Sequence, residues 1–342
     1  MMRRYSVIMI DTSVASGDER RPLIVVTAPV DRALLDQAFP RIVYRNHGTQ
    51  GGDLRSSEAS DVLASADAAV VELDRVGEAD LDAAPNLKLL VVCRANPVNV
   101  DMAACAKRDV RVATTPGRNA DSTADVTMGL MLEALRRLPS AEHWMASEPW
   151  RESDVFEPYR RFRGRTLSCC TVGVVGYGHV GRAVVRRLLG FGARVLVWSR
   201  HNHEAELPAG VAQVALDELL ATSDVVTLHL PATPQTIGMI GARELGLMRP
   251  DALLVNTARA SLLDEAAIVE ALRSRRIAGA AFDVFFKEPL PADHPLRALA
   301  AASAADPTAP TVVLTPHIGG ASDDVITVQT RMAIAALRHL TV

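Results

Sequence analysis

Short runs of consecutive apolar residues alternate with amphipathic stretches along most of the chain. In the N-terminal third the apolar runs are 23–27, 69–72 and 89–93. Alanine-rich amphipathic stretches such as 57–66 lie between them. A continuous apolar run is typical of a strand buried on both faces, and strand–helix alternation predicts a parallel sheet. The pattern therefore predicts an α/β domain, preceded by an extension over 1–21 and interrupted by a loop over 46–53.

A second alternating series fills the rest of the chain. It follows a helix predicted over 121–138, which Asp121 or Ser122 caps and Pro139 ends, and a loop-rich stretch over 145–168. The predicted strands are 171–175, 194–198, 224–229, 252–256, 278–282 and 311–314. The predicted helices are 179–190, 216–222, 242–247, 264–274 and, at the C-terminus, 321–340, while the alanine run near 298–305 predicts a loop or a short helix. Six parallel strands with helices between them indicate a doubly wound sheet.

Composition narrows the class of protein. A chain of 342 residues predicts two domains, and 49% hydrophobic with 23% charged residues is ordinary for a globular protein. The net charge of −3 gives no reason to expect nucleic acid or an anionic membrane as a partner. The four cysteines have neither C-x-x-C nor zinc spacing, so we expect no metal site, and reduced thiols favour a cytoplasmic location.

One glycine-rich turn carries the clearest chemical signal. Gly176-Tyr177-Gly178-His179-Val180-Gly181 directly follows the predicted strand 171–175 and opens the helix 179–190. In such a turn the first glycine allows the tight bend, the second lets the backbone approach a pyrophosphate, and the third packs the helix on the strand. The helix N-terminus then attracts the phosphates. The turn predicts a nicotinamide dinucleotide site, to which His179 and Val180 also belong.

The end of the second strand bears on the choice of cofactor. NAD enzymes usually place a carboxylate there for the ribose 2′-hydroxyl, whereas an arginine suits the 2′-phosphate of NADP. This chain has Trp198-Ser199-Arg200-His201 at that place. Ser199 can donate a hydrogen bond to a phosphate and Arg200 can supply charge. The sequence favours NADP over NAD, although Arg200 could instead stack on adenine while NAD binds.

Three later segments carry polar residues at the ends of predicted strands, where open parallel sheets bind their ligands. The segments are Leu254-Val255-Asn256-Thr257-Ala258-Arg259, Ala281-Phe282-Asp283-Val284-Phe285-Phe286-Lys287-Glu288-Pro289 and Leu314-Thr315-Pro316-His317-Ile318-Gly319-Gly320. Each alone could hold a cap, a surface charge or a structural histidine. An arginine, a glutamate and a histidine in this order, each just after a strand of one nucleotide domain, indicate catalysis.

With these segments, the glycine turn and Leu228-His229-Leu230-Pro231 with Thr233-Pro234, the chain resembles the D-isomer-specific 2-hydroxyacid dehydrogenase family over about residues 85–340. The resemblance implies that Arg259 grips the substrate carboxylate and polarises the carbonyl. It implies that His317 is the general acid or base, and that Glu288 orients and tunes His317 through its opposite charge. It also implies further cofactor contacts: Pro231, Thr236, Thr257, Ala258, Asp283 and Gly319.

The same resemblance implies the domain organisation. A nucleotide-binding domain over 119–314 would be inserted into a flavodoxin-like substrate domain made of 1–118 and 315–342. Family members usually form homodimers through the nucleotide domain, around the equivalents of 121–168. Trp144 and Trp150 could anchor such a contact or belong to the core.

One departure from the family pattern concerns the substrate. Related sequences often have a glycine-rich loop that binds the carboxylate, where this chain has Arg94-Ala95-Asn96-Pro97. Alanine and proline restrict the backbone there, and Pro97 removes a donor. Arg94 and Asn96 could add contacts to a phosphate, a phosphonate or a second carboxylate, or Arg94 could face solvent. The expected substrate is therefore a small anionic molecule of unspecified identity.

Three functions remain open at this point. The first is hydride transfer between NAD(P) and a 2-hydroxy or 2-oxo acid, in the direction of 2-oxo acid reduction. The second is oxidation of an aldehyde that carries a phosphonate or carboxylate, by the same site. The third is a non-catalytic dinucleotide sensor like the corepressors that share this fold, which keep the catalytic residues.

Overall fold

The computed structural model describes residues 21–45, 52–56 and 59–340. The predicted extension over 1–21, apart from its last residue, and most of the predicted loop over 46–53 lie outside the described residues. The chain divides into two compact units, Met1–Thr115 with Gln329–Val342, and Pro116–Val328. Each unit is built on its own parallel sheet, as the strand–helix alternation predicts.

The first unit holds a five-stranded parallel sheet in the order β2-β1-β3-β4-β5, which is the flavodoxin-like order. Its strands are β1 (Ile24–Val26), β2 (Ile42–Tyr44), β3 (Ala68–Val71), β4 (Leu89–Val92) and β5 (Arg111–Thr114). Its helices are α1 (Arg32–Ala38), α2 (Ser60–Leu63), α3 (Glu78–Asp82) and α4 (Met102–Lys107). The inner strands are apolar at every position because both faces of the sheet are covered.

The second unit holds seven parallel strands in the order β12-β11-β10-β9-β6-β7-β8. The strands are β6 (Thr171–Val175), β7 (Arg194–Trp198), β8 (Val211–Gln213), β9 (Val225–Leu228), β10 (Leu253–Asn256), β11 (Gly279–Phe282) and β12 (Thr311–Leu314). This is the doubly wound dinucleotide-binding order with one strand added at the β12 edge. The order reverses between β6 and β9, so a ligand crevice is expected at the carboxyl ends of those two strands.

Helices cover both faces of the second sheet. They are α5 (Ala120–Arg136), α6 (Leu138–Ser147), α7 (Glu157–Arg161), α8 (His179–Gly190), α9 (Leu216–Thr222), α10 (Ala242–Leu247), α11 (Glu265–Arg273) and α12 (Pro295–Ala305). Side chains alternate along each strand, so Val225 joins the core beneath α5 and α8, and Val226 joins the core beneath α9 to α11. A last helix, α13 (Asp323–Leu337), packs Ala333, Ile334 and Leu337 into the core of the first unit.

The helix predicted over 121–138 ends earlier than expected. It stops at Arg136, because Arg137 adopts a left-handed conformation with φ of 54°. Pro139 therefore does not end this helix but lies in the first turn of the next one, α6, where a missing N–H costs nothing. The stretch from 145 onward also contains the end of α6 and the short helix α7.

The sequence analysis missed one strand of the second sheet, since it counted six and the structure has seven. The missed strand β8 lies at the sheet edge, and so do β2 and β5 of the first sheet. Of the amphipathic stretch 57–66 the structure describes residues 59–66, in which helix α2 covers Ser60–Leu63, and Leu54–Ser56 form a 3-10 turn. The alanine run near 298–305 belongs to helix α12.

The segment after β12 bears on the domain limits. Residues 315–328, which the sequence analysis assigned to the substrate domain, belong to the second unit. The physical reason is that the backbone of this segment is hydrogen-bonded to Asp283, at the end of β11. Among the described residues, no helix has the length and apolarity required to cross a membrane.

Candidate active site and dinucleotide cavity

The turn between β6 and α8 accepts only glycine at two positions. Gly176 has φ of +107°, and a Cβ there would overlap the carbonyl oxygen of His229. A Cβ at Gly181 would overlap the carbonyl oxygen of Gly176. The first glycine therefore permits the bend, and the third lets α8 pack against the turn, as the motif predicts.

Unlike Gly176 and Gly181, Gly178 has open space where a side chain would project. A Cβ added there would meet no atom within 4 Å, so nothing in the protein itself requires glycine at this position. Gly178 lies at the N-cap of α8, where backbone N–H groups are free to bind an anion. The backbone therefore fits the close approach of a pyrophosphate, which a side chain would obstruct.

A cavity of about 630 Å³ extends from this turn along the carboxyl ends of β6, β7 and β9. Of the residues predicted to bind a cofactor, seven line this cavity: Gly176, Gly178, His179, Ser199, Arg200, Pro231 and Thr236. The cavity lies where the strand order reverses, which is the expected ligand position in a doubly wound sheet. Its location and lining fit a dinucleotide.

The loop after β7 forms one end of the cavity. The side-chain amide of Gln213, on β8, donates to the carbonyl oxygens of Ser199 (3.3 Å) and His201 (2.9 Å). The amide oxygen of the same side chain accepts from the backbone N–H of His203 at 2.8 Å. Gln213 thus shapes the loop that presents Ser199 and Arg200, a role that its own sequence context does not reveal.

The loop after β10 presents Arg259. The side chain of Asn256 is fully buried, accepts from the backbone N–H of Ala258 at 3.0 Å and donates to the carbonyl oxygen of Arg259 at 2.9 Å. Thr257 is buried and its hydroxyl lies 2.8 Å from that of Thr127 on α5. These three hydrogen bonds fix the backbone around Arg259, whose own side chain is exposed.

The turn after β12 presents His317, whose φ of 56° is uncommon for a residue other than glycine. Asp283, at the end of β11, stabilises this conformation. One of its carboxylate oxygens accepts from Thr315 Oγ1 (2.6 Å) and from the backbone N–H of Ile318 (2.8 Å). The other accepts from the N–H of Gly319 at 2.7 Å. Asp283, predicted as a cofactor contact, is fully buried and holds this turn.

His317 and Glu288 form the predicted pair. His317 Nδ1 lies 2.8 Å from Oε2 and 3.0 Å from Oε1 of Glu288, and the N–H of Phe285 donates to Oε1 at 3.1 Å. A carboxylate at Nδ1 fixes the orientation of the imidazole ring and leaves Nε2 for a substrate. This contact is the one that the predicted orienting role of Glu288 requires.

The charge state of Glu288 follows from its neighbours. Burial by itself would raise the pKa of Glu288, but the hydrogen bonds from His317 and Phe285 and the positive charges of His317 and Arg259 lower it below its ordinary value. Glu288 is therefore an anion at neutral pH. Arg259, Glu288 and His317 together line a cavity of about 340 Å³.

The predicted substrate residues lie elsewhere in the chain. Arg94, Ala95 and Asn96 follow β4 in the first unit, whereas Arg259, Glu288 and His317 all belong to the second. Ala95 and Asn96 are exposed, Arg94 is half-buried, and the carbonyl oxygen of Arg94 accepts from the N–H of Thr115 at 3.0 Å. Over the described residues, no group of three or more His, Cys, Asp or Glu side chains could hold a metal ion.

Comparisons with known proteins agree with this fold. Residues 128–319 match the family described as D-isomer specific 2-hydroxyacid dehydrogenase, NAD binding domain. A glyoxylate reductase of Thermococcus onnurineus is 38% identical over 88% of this chain and 87% of its own length. The crystal structure of the TT0316 protein from Thermus thermophilus is 33% identical, covers 93% of this chain and 95% of its own, and has a TM-score of 0.72. D-lactate dehydrogenase from Aquifex aeolicus, solved with NAD and lactic acid, is 25% identical over 92% of this chain and 94% of its own, with a TM-score of 0.68.

Proposed function

The chain belongs to the D-isomer-specific 2-hydroxyacid dehydrogenase family and is an NAD(P)-dependent oxidoreductase of that class, and from this premise we propose that it reduces a small anionic 2-oxo acid at Arg259, Glu288 and His317. The single observation that carries the proposal is the cavity that these three side chains share. A cation, an oriented imidazole and a carboxylate are the groups that 2-oxo acid reduction requires.

Arg259 binds the carboxylate of the substrate in this proposal. Its guanidinium is exposed toward the cavity, and its loop is fixed by the bonds of Asn256. A planar guanidinium matches a carboxylate in a two-point contact and also polarises the adjacent carbonyl. Because the loop is already fixed, little ordering is left to occur when the substrate binds.

His317 supplies the proton. The nicotinamide, when bound, supplies a hydride to C2 of the 2-oxo acid. The carbonyl oxygen gains negative charge as C2 becomes tetrahedral, and the protonated His317 donates the proton on Nε2 to that oxygen. Glu288 holds Nδ1 and so keeps the ring oriented for the transfer. The products would be the 2-hydroxy acid, the oxidised nicotinamide and a neutral imidazole, which takes up a proton from solvent.

Several relatives are glyoxylate reductases, and this supports glyoxylate or a 2-oxo acid of similar size as the substrate. The test follows the nicotinamide absorbance while the protein is incubated with NADPH or NADH and a series of substrates. The series contains glyoxylate, hydroxypyruvate, pyruvate and 2-oxoglutarate, and an aldehyde carrying a phosphonate is run with the oxidised cofactors. We expect turnover of the smallest 2-oxo acids. Tight cofactor binding without turnover of any compound would support a sensor instead and would contradict the proposal.

NADP is the proposed cofactor. Ser199 and Arg200 line the end of the dinucleotide cavity, and neither is a carboxylate that would repel a 2′-phosphate. Replacing Arg200 with alanine should weaken NADPH binding by about ten-fold to a hundred-fold, since a charge-assisted hydrogen bond contributes about 1.5–3 kcal/mol. NADH binding should change little. Equal losses for both cofactors would mean that Arg200 stacks on adenine and does not select the phosphate.

We further propose that the protein works as a homodimer through the second unit. Support comes from apolar side chains exposed in and after α6, with Met145, Trp150, Phe156 and Tyr159 all more than half exposed. Trp144, in contrast, is buried at 3% exposure, and its ring contacts Trp150 edge-on and Phe162 at a tilt. Neither nucleic acid nor a membrane is a proposed partner. None of the four cysteines forms a disulfide, which supports a cytoplasmic location.

A further inference from the structure

Arg182 is a charged residue of the dinucleotide cavity that the chemistry above does not use. It lies on α8, in the first turn after Gly178, and lines the same cavity as Ser199 and Arg200. Its guanidinium carbon lies 4.4 Å from the centroid of the Tyr177 ring, which is a cation–π distance. The stacking holds the guanidinium at the wall of the cavity.

Two further side chains, both in the loop after β7, contact Arg182. Its Nη2 forms an ion pair with Glu206 and lies 3.3 Å from His203 Nδ1. His203 in turn contacts the ring of Tyr177, with centroids 5.4 Å apart, and lines the cavity. Arg182, His203 and Glu206 therefore form one cluster, in which only Glu206 carries negative charge.

Glu206 is the ion-pair partner of Arg182, and a bound anion could take its place. The hydrogen bond and charge of Arg182 lower the pKa of Glu206, so it is ionised at neutral pH. Its side chain is 54% exposed, against 36% for Arg182, so it can turn into solvent without leaving a buried charge unpaired. A phosphate has three acceptor oxygens for a guanidinium, and it carries more charge than a carboxylate.

We propose that Arg182 is a second cationic contact, beside Arg200, for the 2′-phosphate of the cofactor, and that Glu206 competes with the phosphate for it. This inference rests on the proposed dinucleotide-binding function and names residues that set its cofactor preference. Glu206 limits the affinity for a 2′-phosphate, because the phosphate must displace its carboxylate from Arg182. It leaves nucleotides without that phosphate unaffected.

A purely structural ion pair would behave differently. If Arg182 and Glu206 only fasten α8 to the loop after β7, loosening the pair should weaken every adenine nucleotide alike. Competition predicts opposite effects of the two residues on the 2′-phosphate alone. The difference appears in binding measurements with fragments and requires no turnover.

The test is calorimetric titration of the full chain with 2′,5′-ADP and with 5′-AMP, which differ by the 2′-phosphate. Glu206→Gln keeps the shape of the side chain and removes its charge. We expect it to bind 2′,5′-ADP about three-fold to ten-fold more tightly, as removal of a like charge a few ångströms away predicts, and to bind 5′-AMP as the wild type does. The matched control is Glu204→Gln, two residues earlier in the same 3-10 turn, which should change neither affinity.

The second variant is Arg182→Met, which keeps the apolar stem over Tyr177. It should weaken the binding of 2′,5′-ADP by about five-fold to fifty-fold and leave the affinity for 5′-AMP within about two-fold of the wild type. Arg186→Met is its control, because Arg186 lies one turn later on α8 and pairs with Asp121.

Selective gain in Glu206→Gln together with selective loss in Arg182→Met supports the inference. Equal changes for both nucleotides, or none, overturn it while the dinucleotide site itself stands. If the wild type binds neither nucleotide, the proposed function fails and the inference fails with it.

Discussion

His229 lines the dinucleotide cavity, but its titratable side chain is almost completely buried. Its side chain is 8% exposed, and its Nε2 lies 2.9 Å from the hydroxyl of Thr227. Burial lowers the pKa of His229 to about 3. The imidazole is therefore neutral in the folded protein over the whole physiological range, and it adds no charge beneath the phosphates of a bound dinucleotide.

This burial predicts a loss of stability in acid. In the unfolded chain His229 has an ordinary pKa near 6.5 and takes up a proton below that pH, whereas the folded chain does not until about pH 3. Its contribution to stability is therefore intact above pH 6.5 and is lost progressively as the pH falls toward 3. Between pH 7 and pH 5 the free energy of unfolding should fall by about 2 kcal/mol on account of His229.

Urea unfolding of wild type and of His229→Gln at both pH values measures this contribution. Glutamine can keep the contact with Thr227 but does not titrate. The decrease between pH 7 and pH 5 should be about 2 kcal/mol smaller in the variant. Equal decreases in the two proteins would show that His229 is protonated, or solvated, in the folded state.

Asp283 illustrates what a sequence can and cannot say about single residues. Its position after a buried strand and the family motif mark it as a site residue. They do not show that its two oxygens accept from Thr315, Ile318 and Gly319, because those donors come from a turn about thirty residues later. The motif identifies residues of the site, while the contacts that orient His317 depend on how β11 and β12 are paired.

At the level of elements, the turn between β6 and α8 makes a prediction about Gly178. A methyl group there meets no protein atom but would project where the pyrophosphate is expected. Gly178→Ala should leave the melting temperature within about 2 °C of wild type, and it should weaken NADPH binding by about ten-fold or more.

Gly190→Ala is the matched control, because a Cβ at Gly190, the last residue of α8, likewise meets nothing within 4 Å. It should change neither the melting temperature nor cofactor binding appreciably. Unimpaired NADPH binding by Gly178→Ala would mean that the cofactor does not approach this turn.

The central strands and the edge strand β12 were predictable from the sequence, whereas the edge strands β2, β5 and β8 were not. Strands β6, β9, β10 and β11 are mostly apolar and buried at nearly every position, because both of their faces are covered by helices. The edge strands β2, β5 and β8 contain no fully buried residue, and the apolar run within each strand is at most three residues long. The prediction for Pro139 was wrong for a different reason, because a proline near a helix boundary fits the start of one helix as well as the end of another.

On the scale of the whole molecule, the exposed apolar segment after α6 predicts a dimer. Phe156 and Tyr159 are 66% and 73% exposed, more than isolated surface aromatics require. Light scattering after gel filtration should give a mass of twice 36.7 kDa. Phe156→Asp should shift the protein toward the monomer, since a charge at the centre of an apolar interface is costly.

Phe191→Asp serves as the control, because Phe191 is an exposed phenylalanine that follows α8 rather than α6. It should leave the mass unchanged. A wild type that elutes and scatters as a monomer at micromolar concentration would contradict the proposed assembly.

The identity of the substrate is the property least accessible from sequence. The proposed reacting groups Arg259 and His317 follow from the motifs, but we expect selectivity to depend on loops such as 93–99, where Arg94, Ala95 and Asn96 stand in place of the glycine-rich loop that the resemblance implies. Their backbone conformation, more than their residue types, decides which N–H groups face a ligand. The sequence therefore predicts the type of reaction better than it predicts the choice of substrate.

The most direct test of the central claim is the turnover of His317→Ala with NADPH and the best 2-oxo acid of the series, measured beside the dissociation constant for NADPH. His317 is the proposed proton donor, and the dinucleotide cavity does not include it. We predict that kcat falls by about 10²-fold to 10⁴-fold and that the dissociation constant stays within about two-fold of wild type. Turnover equal to that of the wild type, or a loss explained entirely by weaker NADPH binding, would contradict the account.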